Sequence, residues 1–204
     1  SKSQFSEIVL NATLNMSPPV KRGSSVFELG CGVGAALKVL AQWRPVEIAG
    51  CDTSAAALKV AAAHFAQRAH AFILADMASG ELPRGAAERS FDHVVSFGAL
   101  AMYLERAEMA VALHTATRLA RPGGSFCFTH FVEPQGEPKG SIVHPISRAA
   151  LHRLATAAGM VDVRLHPMRH QGDRYAMTAR APEVRRRYND STRDRHGDSR
   201  SGWL

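Results

Sequence analysis

The stretch Ser25-Val26-Phe27-Glu28-Leu29-Gly30-Cys31-Gly32-Val33-Gly34-Ala35 decides how the chain is read. Its first five residues form a short apolar run with the look of a buried strand. Glycines then occupy alternate positions, and residues 35–42 have helical spacing. Glycine lets a backbone turn tightly and approach a ligand with no Cβ in the way. The first turn of the following helix presents free N–H groups to whatever sits there.

By itself this loop is ambiguous. Gly30-Cys31-Gly32-Val33-Gly34-Ala35 also satisfies the GxGxxG/A fingerprint of dinucleotide binders, and a tight turn without a ligand has the same composition. Two acids further along add information. Asp52 ends a second apolar run, 47–51, and a carboxylate there can accept from both hydroxyls of a ribose, whether of NAD or of another adenosine cofactor. As an acid at a helix start it also suits the dipole. Asp76 follows a third run, 71–74, where it can accept from an adenine amino group while Met77 packs on the base. An ordinary strand-end acid would look the same.

Outward from these landmarks, strand-like and helix-like segments alternate. Strands are expected at 91–96 and 125–131, and helices from Ser54 to about residue 68, at 105–119 and at 147–158, with Ser54 and Ser147 as caps and Gly159 as a stop. Arg121-Pro122-Gly123-Gly124 reads as a turn. Such alternation implies a parallel sheet covered on both faces. Segments 161–166 and 175–179 follow each other with no helix between them. Only antiparallel neighbours can be joined so briefly, so the last strand is expected to run against the rest.

The ordered set of segments resembles the class I methyltransferases that use S-adenosylmethionine (SAM). Glu28-Leu29-Gly30-Cys31-Gly32-Val33-Gly34 is similar to their first motif, an acid followed by GxGxG. Asp52 matches the ribose acid, and Asp76-Met77 the adenine pair. Phe91 through Leu100 is similar to the fourth-strand motif, and Leu119-Ala120-Arg121-Pro122-Gly123-Gly124 to the turn before the fifth strand. The resemblance spans residues 24–182. It implies an α/β, Rossmann-like three-layer sandwich with a seven-stranded, mostly parallel sheet and an antiparallel last strand. It disfavours NAD dehydrogenases, which lack the later signatures. It implies that Glu28 meets the methionine amino group and that Gly30, Cys31, Gly32 and Gly34 let the backbone approach the cofactor. Asp52 and Thr53 would hold the ribose, Asp76 and Met77 the adenine, and Ser96 and Phe97 the methionine end.

Methyl transfer from an activated donor needs mainly proximity and orientation. A base is required only for a protonated acceptor. His130, Glu133, Tyr103 and His144 stand near strand ends and are the candidates. Each has a structural alternative as a packed, surface or hydrogen-bonded group. The fourth-strand motif lacks the Asn/Asp-Pro-Pro-aromatic clamp of many nitrogen methylators, which leaves small molecules, proteins and RNA as acceptors. The acceptor pocket is expected over the ends of the fourth and fifth strands, roofed by residues 133–145.

Composition bounds the rest. The chain has 204 residues, enough for one α/β domain, preceded by a helical or extended segment at 1–23. No apolar run is long enough to span a membrane, and residues 1–15 lack the pattern of a secretory signal. Cys31, Cys51 and Cys127 form no CxxC pair. They read as reduced core thiols, with no metal site, which suits the cytoplasm or an organelle matrix. The formal charge of +7 favours anionic partners if the basic residues cluster, and otherwise reflects a solvated surface. Residues 181–204 carry six arginines against four acids and few apolar side chains, so residues 183–204 are expected to order only against a partner. That balance keeps a second reading open: a catalytically silent binding or assembly subunit of a larger complex, such as a ribonucleoprotein.

Overall fold

The computed structural model describes residues 2–43, 47–65, 71–134, 144–168 and 174–183. In chain order the elements are α1 (Lys2–Leu14), β1 (Ser25–Leu29), α2 (Ala35–Trp43), β2 (Glu47–Asp52), α3 (Ala55–His64), β3 (Ala71–Leu74) and β4 (Phe91–Phe97). Then follow α4 (Ala99–Tyr103), α5 (Arg106–Leu119), β5 (Ala120–Val132), α6 (Arg148–Ala157), β6 (Val161–Pro167) and β7 (Arg174–Arg180).

Local chemistry sets the boundaries. Ser54 Oγ accepts from the Ala57 N–H at 3.2 Å and Ser147 Oγ from the Ala150 N–H at 3.3 Å, so both serines cap helices as expected. At α5 the Glu108 carboxylate reaches back to the Glu105 N–H at 2.8 Å. The helix after Ser54 ends at His64, short of the expected residue 68, and residues 66–70 lie outside the described part. The expected turn Arg121–Gly124 instead lies inside β5. Leu119 passes directly from α5 into the strand, and the register against β4 shifts between Phe91 and His93. Gly124 is needed there because a Cβ would stand 2.8 Å from the Asp92 carbonyl oxygen.

The sheet has seven strands in the order β3-β2-β1-β4-β5-β7-β6. Strands β1 to β5 are parallel, and β7 runs antiparallel to both β5 and β6. The antiparallel last strand was legible in the sequence. Its insertion between β5 and β6 was not.

Two apolar layers enclose the sheet. Val9, Met16, Leu37, Leu40 and Leu58 pack with Val26 and Val95 on one face. Leu100, Leu113, Leu119 and Leu151 pack with Phe27, Val94 and Phe126 on the other. Each fully buried side chain of this kind contributes about 1.5–3 kcal/mol. Residues of α1 thus share a core with β1, so the segment before Ser24 is structurally continuous with the sheet. Cys31, Cys51 and Cys127 are buried thiols. No helix among the described residues is long and apolar enough to cross a membrane.

A bulge interrupts β5 opposite β7, between Phe128 and Phe131. His130 sits in it with φ +70°. The extra residue restores the alternation so that Phe131 faces the same layer as Phe126 and Phe128, where it packs against Tyr175 with ring centroids 5.6 Å apart.

Candidate functional site

At the carboxyl edge of the sheet the ends of β1, β2, β3 and β4 surround a cleft of about 550 Å³. The glycine loop after β1 forms its floor. Gly30, Gly32 and Gly34 have φ of +69°, +51° and +76°, the left-handed region that glycine occupies without strain. A Cβ on Gly30 would lie 2.3 Å from Ala99 Cβ, so this glycine lets the loop rest on the start of α4. A Cβ on Gly32 would meet nothing within 4 Å, because that residue faces open space.

Asp52 ties the loop to the next strand. Its Oδ2 accepts from the Gly32 N–H at 2.8 Å and its Oδ1 from the Ser54 N–H at 2.9 Å. Each carboxylate oxygen retains a further acceptor site, and Asp52 lines the cleft. Asp76 is exposed at the end of β3, its Oδ1 accepting from the Ala78 N–H at 2.8 Å, and Met77 is half-buried beside it.

Glu28 is the unusual member. It is 3% exposed, and its Oε2 has no partner. Burial pushes its carboxyl well above the usual carboxylate range; the Phe97 N–H that bonds it works the other way, and the nearby Asp52 charge adds to the rise. The cleft therefore offers one buried, protonatable acid, and two partly solvated ones. Apolar surface comes from Met77, Phe97 and Ala99.

Of the expected cofactor residues, Glu28, Gly30, Cys31, Gly32, Asp52, Thr53, Asp76, Met77 and Phe97 line this cleft. Gly34 stands behind it. A Cβ there would lie 3.3 Å from Ala61 Cβ, so its role is to let α2 start close to α3. Ser96 does not line the cleft. Residues along β4 alternate, so Val95 and Phe97 face one layer while Ser96 turns with Val94 to the other, its Oγ buried without a partner. Ser54, Ala75, Met102 and Leu104 also line the cleft, as does Phe5 of α1. Nothing near Phe5 in the sequence marks it, since it reaches the site only through the packing of α1.

The four candidate bases separate. Tyr103 lines the cleft and is 65% exposed. His130 lies behind Gly98, where a Cβ would be 3.7 Å from His130 Nδ1. Its Nδ1 is 2.7 Å from Thr129 Oγ1, and burial, assisted by the Arg174 charge, lowers its pKa to about 4. Glu133 forms an ion pair with Arg148 at 3.2 Å. His144 faces a separate small cavity beside Arg106 and Ile146. The segment expected to roof an acceptor pocket lies outside the described residues at 135–143.

Comparison with known proteins bears on this geometry. The fold is similar to that of a methyltransferase solved with the Trm112 methyltransferase activator of Haloferax volcanii, at a TM-score of 0.70 and 19% identity over 88% of this chain and 92% of that one. It is similar to phosphoethanolamine N-methyltransferase 2 of Haemonchus contortus, solved with S-adenosyl-L-methionine, at 0.68 and 15% over 88% of this chain and 53% of that one. The [4+2]-cyclase SpnF matches at 0.67 and 19%, over 88% and 80% of the respective chains. At these identities the likeness concerns the fold. No curated protein matches the chain. Residues 26–124 match the family model described as a methyltransferase domain, a span running from β1 into β5. Glycine loop, strand-end acids and sheet order agree with that match: residues 26–124 form a methyltransferase domain.

Proposed function

We propose that the cleft binds SAM and that the protein transfers its methyl group to an acceptor. The observation that carries this reading is Glu28: a buried carboxyl with an unpartnered oxygen on the floor of a cleft built around a glycine loop. A buried polar atom without a partner costs stability, and a ligand cation or donor placed there removes the cost. The methionine amino group is such a cation. Asp52 suits a ribose, since its two oxygens lie at the end of β2 beside Gly32 and Ser54. Asp76 and Met77 suit an adenine, one as acceptor and one as apolar surface. Bound SAM supplies a methyl group already activated on a sulfonium, and the protein's part is to hold it, exclude water and present the acceptor. Tyr103 is the candidate base best placed to touch bound ligands. The three buried thiols suit a reducing compartment, the cytoplasm or an organelle matrix.

Titration calorimetry with SAM, S-adenosylhomocysteine and NADH tests cofactor choice, and binding of NADH alone overturns it. Incubation with methyl-labelled SAM and pools of small molecules, protein and RNA tests transfer.

A second reading has support of its own. His130, Glu133 and His144 all lie away from the cleft wall, and one structural neighbour is a methyltransferase in complex with an activator protein. A protein partner that completes the site, or a catalytically silent subunit, would fit those facts. SAM binding with no transfer until a partner is added would favour it.

A further inference from the structure

A second cavity of about 520 Å³ opens on the same side of the sheet as α1. One wall is the flank of α1. Glu7, Asn11 and Asn15 recur there every four residues and form a stripe, while Val9 and Met16 point into the core. Packing therefore does not require this stripe. The other wall comes from the carboxyl end of β6 and from β7, through His166, Met168 and Ala176.

Three observations connect this groove to the cofactor cleft. Both lie at the edge of the sheet where β1 to β5 end, the cleft at the ends of β1 to β4 and the groove where β6 ends and β7 begins, and ligands of open α/β sheets bind at that edge. One helix walls both, since Phe5 lines the cleft and Ile8, less than one turn later, lines the groove. Between them stands His130. Its ring lies against Gly98, the residue between the cleft-lining Phe97 and Ala99, and its backbone N–H donates to Met168 Sδ at 3.4 Å.

We propose that this groove binds the methyl acceptor, and that the acceptor is a small molecule without anionic groups, with an apolar body and hydrogen-bonding oxygen or nitrogen. The inference rests on SAM occupying the cleft. The volume suits a small molecule and is too small for a folded partner. Ile8, Leu14 and Pro167 supply apolar contact, and the two asparagines supply donors and acceptors. Among the described residues no lysine or arginine lines the groove. His166 adds no positive charge at neutral pH, because burial and the neighbouring Arg164 hold its pKa below the ordinary value. Its Nε2 is bonded to Thr178 Oγ1 at 2.8 Å. Among the described lining residues Glu7 is the formally charged one, which disfavours phosphate and carboxylate acceptors.

The test uses the full chain saturated with S-adenosylhomocysteine and three matched probes: 4-hydroxybenzyl alcohol, tyramine and 4-hydroxybenzoate. Amide chemical shifts are followed by NMR at millimolar probe. The neutral alcohol is expected to shift resonances of residues 7–15 and 166–168, and the carboxylate to bind at least about tenfold more weakly. Asn11→Trp, a change at an exposed helix position, is expected to weaken the alcohol at least about tenfold while S-adenosylhomocysteine affinity stays within about twofold. Shifts confined to the cleft, equal binding of the carboxylate, no shift with any probe, or an unaffected Asn11→Trp variant would each overturn the proposal. Failure of S-adenosylhomocysteine to bind, with the groove still occupied by the alcohol, would overturn the cofactor reading instead.

Discussion

The two edges of the sheet treat buried polar groups in opposite ways. At the amino edge, His93 lies buried between two serines, with Nδ1 2.8 Å from Ser125 Oγ and Nε2 3.1 Å from Ser24 Oγ. Ser125 Oγ donates to the Pro18 carbonyl at 2.9 Å, so His93 Nδ1–H must donate to that serine and Nε2 must accept from Ser24. Beside them Asp92 Oδ2 accepts from the Ser25 N–H at 2.7 Å, and its other oxygen pairs with Arg121 at 2.5 Å. At the carboxyl edge, Glu28 Oε2 has no partner and three glycines hold positive φ. The named groups of the amino edge are all held within the chain, Asp92 Oδ1 by its ion pair rather than by a hydrogen bond, and they serve stability. The carboxyl edge is incomplete without a ligand, which is why the functional reading belongs there.

The sharpest way to break this contrast is Gly30→Ala. The added Cβ would overlap Ala99 Cβ and hold an unfavourable φ, so a loss of roughly 2–4 kcal/mol in urea unfolding is expected, with loss of SAM binding. A wild-type stability would show that the loop is looser than its geometry.

Next in size is a matched pair. Asp52→Ala is expected to weaken SAM by about 1–3 kcal/mol in calorimetry, whereas Ser24→Ala should cost about 1–3 kcal/mol of stability and leave SAM affinity unchanged. If Ser24→Ala weakens SAM as much as Asp52→Ala does, the division between edges is wrong.

Protonation sharpens the comparison. His93 has its pKa lowered to about 4, by burial first and by the charges of Arg121 and Lys21 next, with Asp92 opposing. A neutral buried histidine contributes stability that is complete above about pH 6.5 and is lost as pH falls toward 4, because the unfolded chain takes the proton first. His130 behaves likewise. Denaturation midpoints should therefore fall across that window, by up to about 1.4 kcal/mol per pH unit for each histidine. Glu28 has the opposite sign. Its raised folded pKa gives a contribution that is present below the ordinary carboxylate range and lost as pH rises above it. Glu28→Gln should therefore raise the melting temperature of the free protein at pH 7 while weakening SAM. Calorimetry in buffers of different ionisation enthalpy should detect proton release on SAM binding to the natural chain only.

The smallest effect is expected from removing residues 184–204. Their charge and scarce apolar content predict a change in melting temperature of no more than a few degrees. A larger drop would mean that this segment docks on its own domain.

Much of this was written locally in the chain. A strand of apolar residues, glycines at alternate positions and an acid after each of the next two strands are short-range patterns, because a turn's conformation and a strand's end depend on a few adjacent residues. They were enough for the fold class, the antiparallel last strand and most of the cleft. Other features arise from residues far apart in sequence. Only packing brought Phe5 to the cleft and set Ser96 in the opposite layer. Only packing shielded His130, left one oxygen of the buried Glu28 without a partner and threaded β7 between β5 and β6. The sequence by itself determined which backbone could turn at Gly30, Gly32 and Gly34, since that is a property of the residue. Whether a carboxyl would be solvated, paired or left waiting for a ligand was decided by the tertiary structure, since desolvation depends on every neighbour the fold assembles around it.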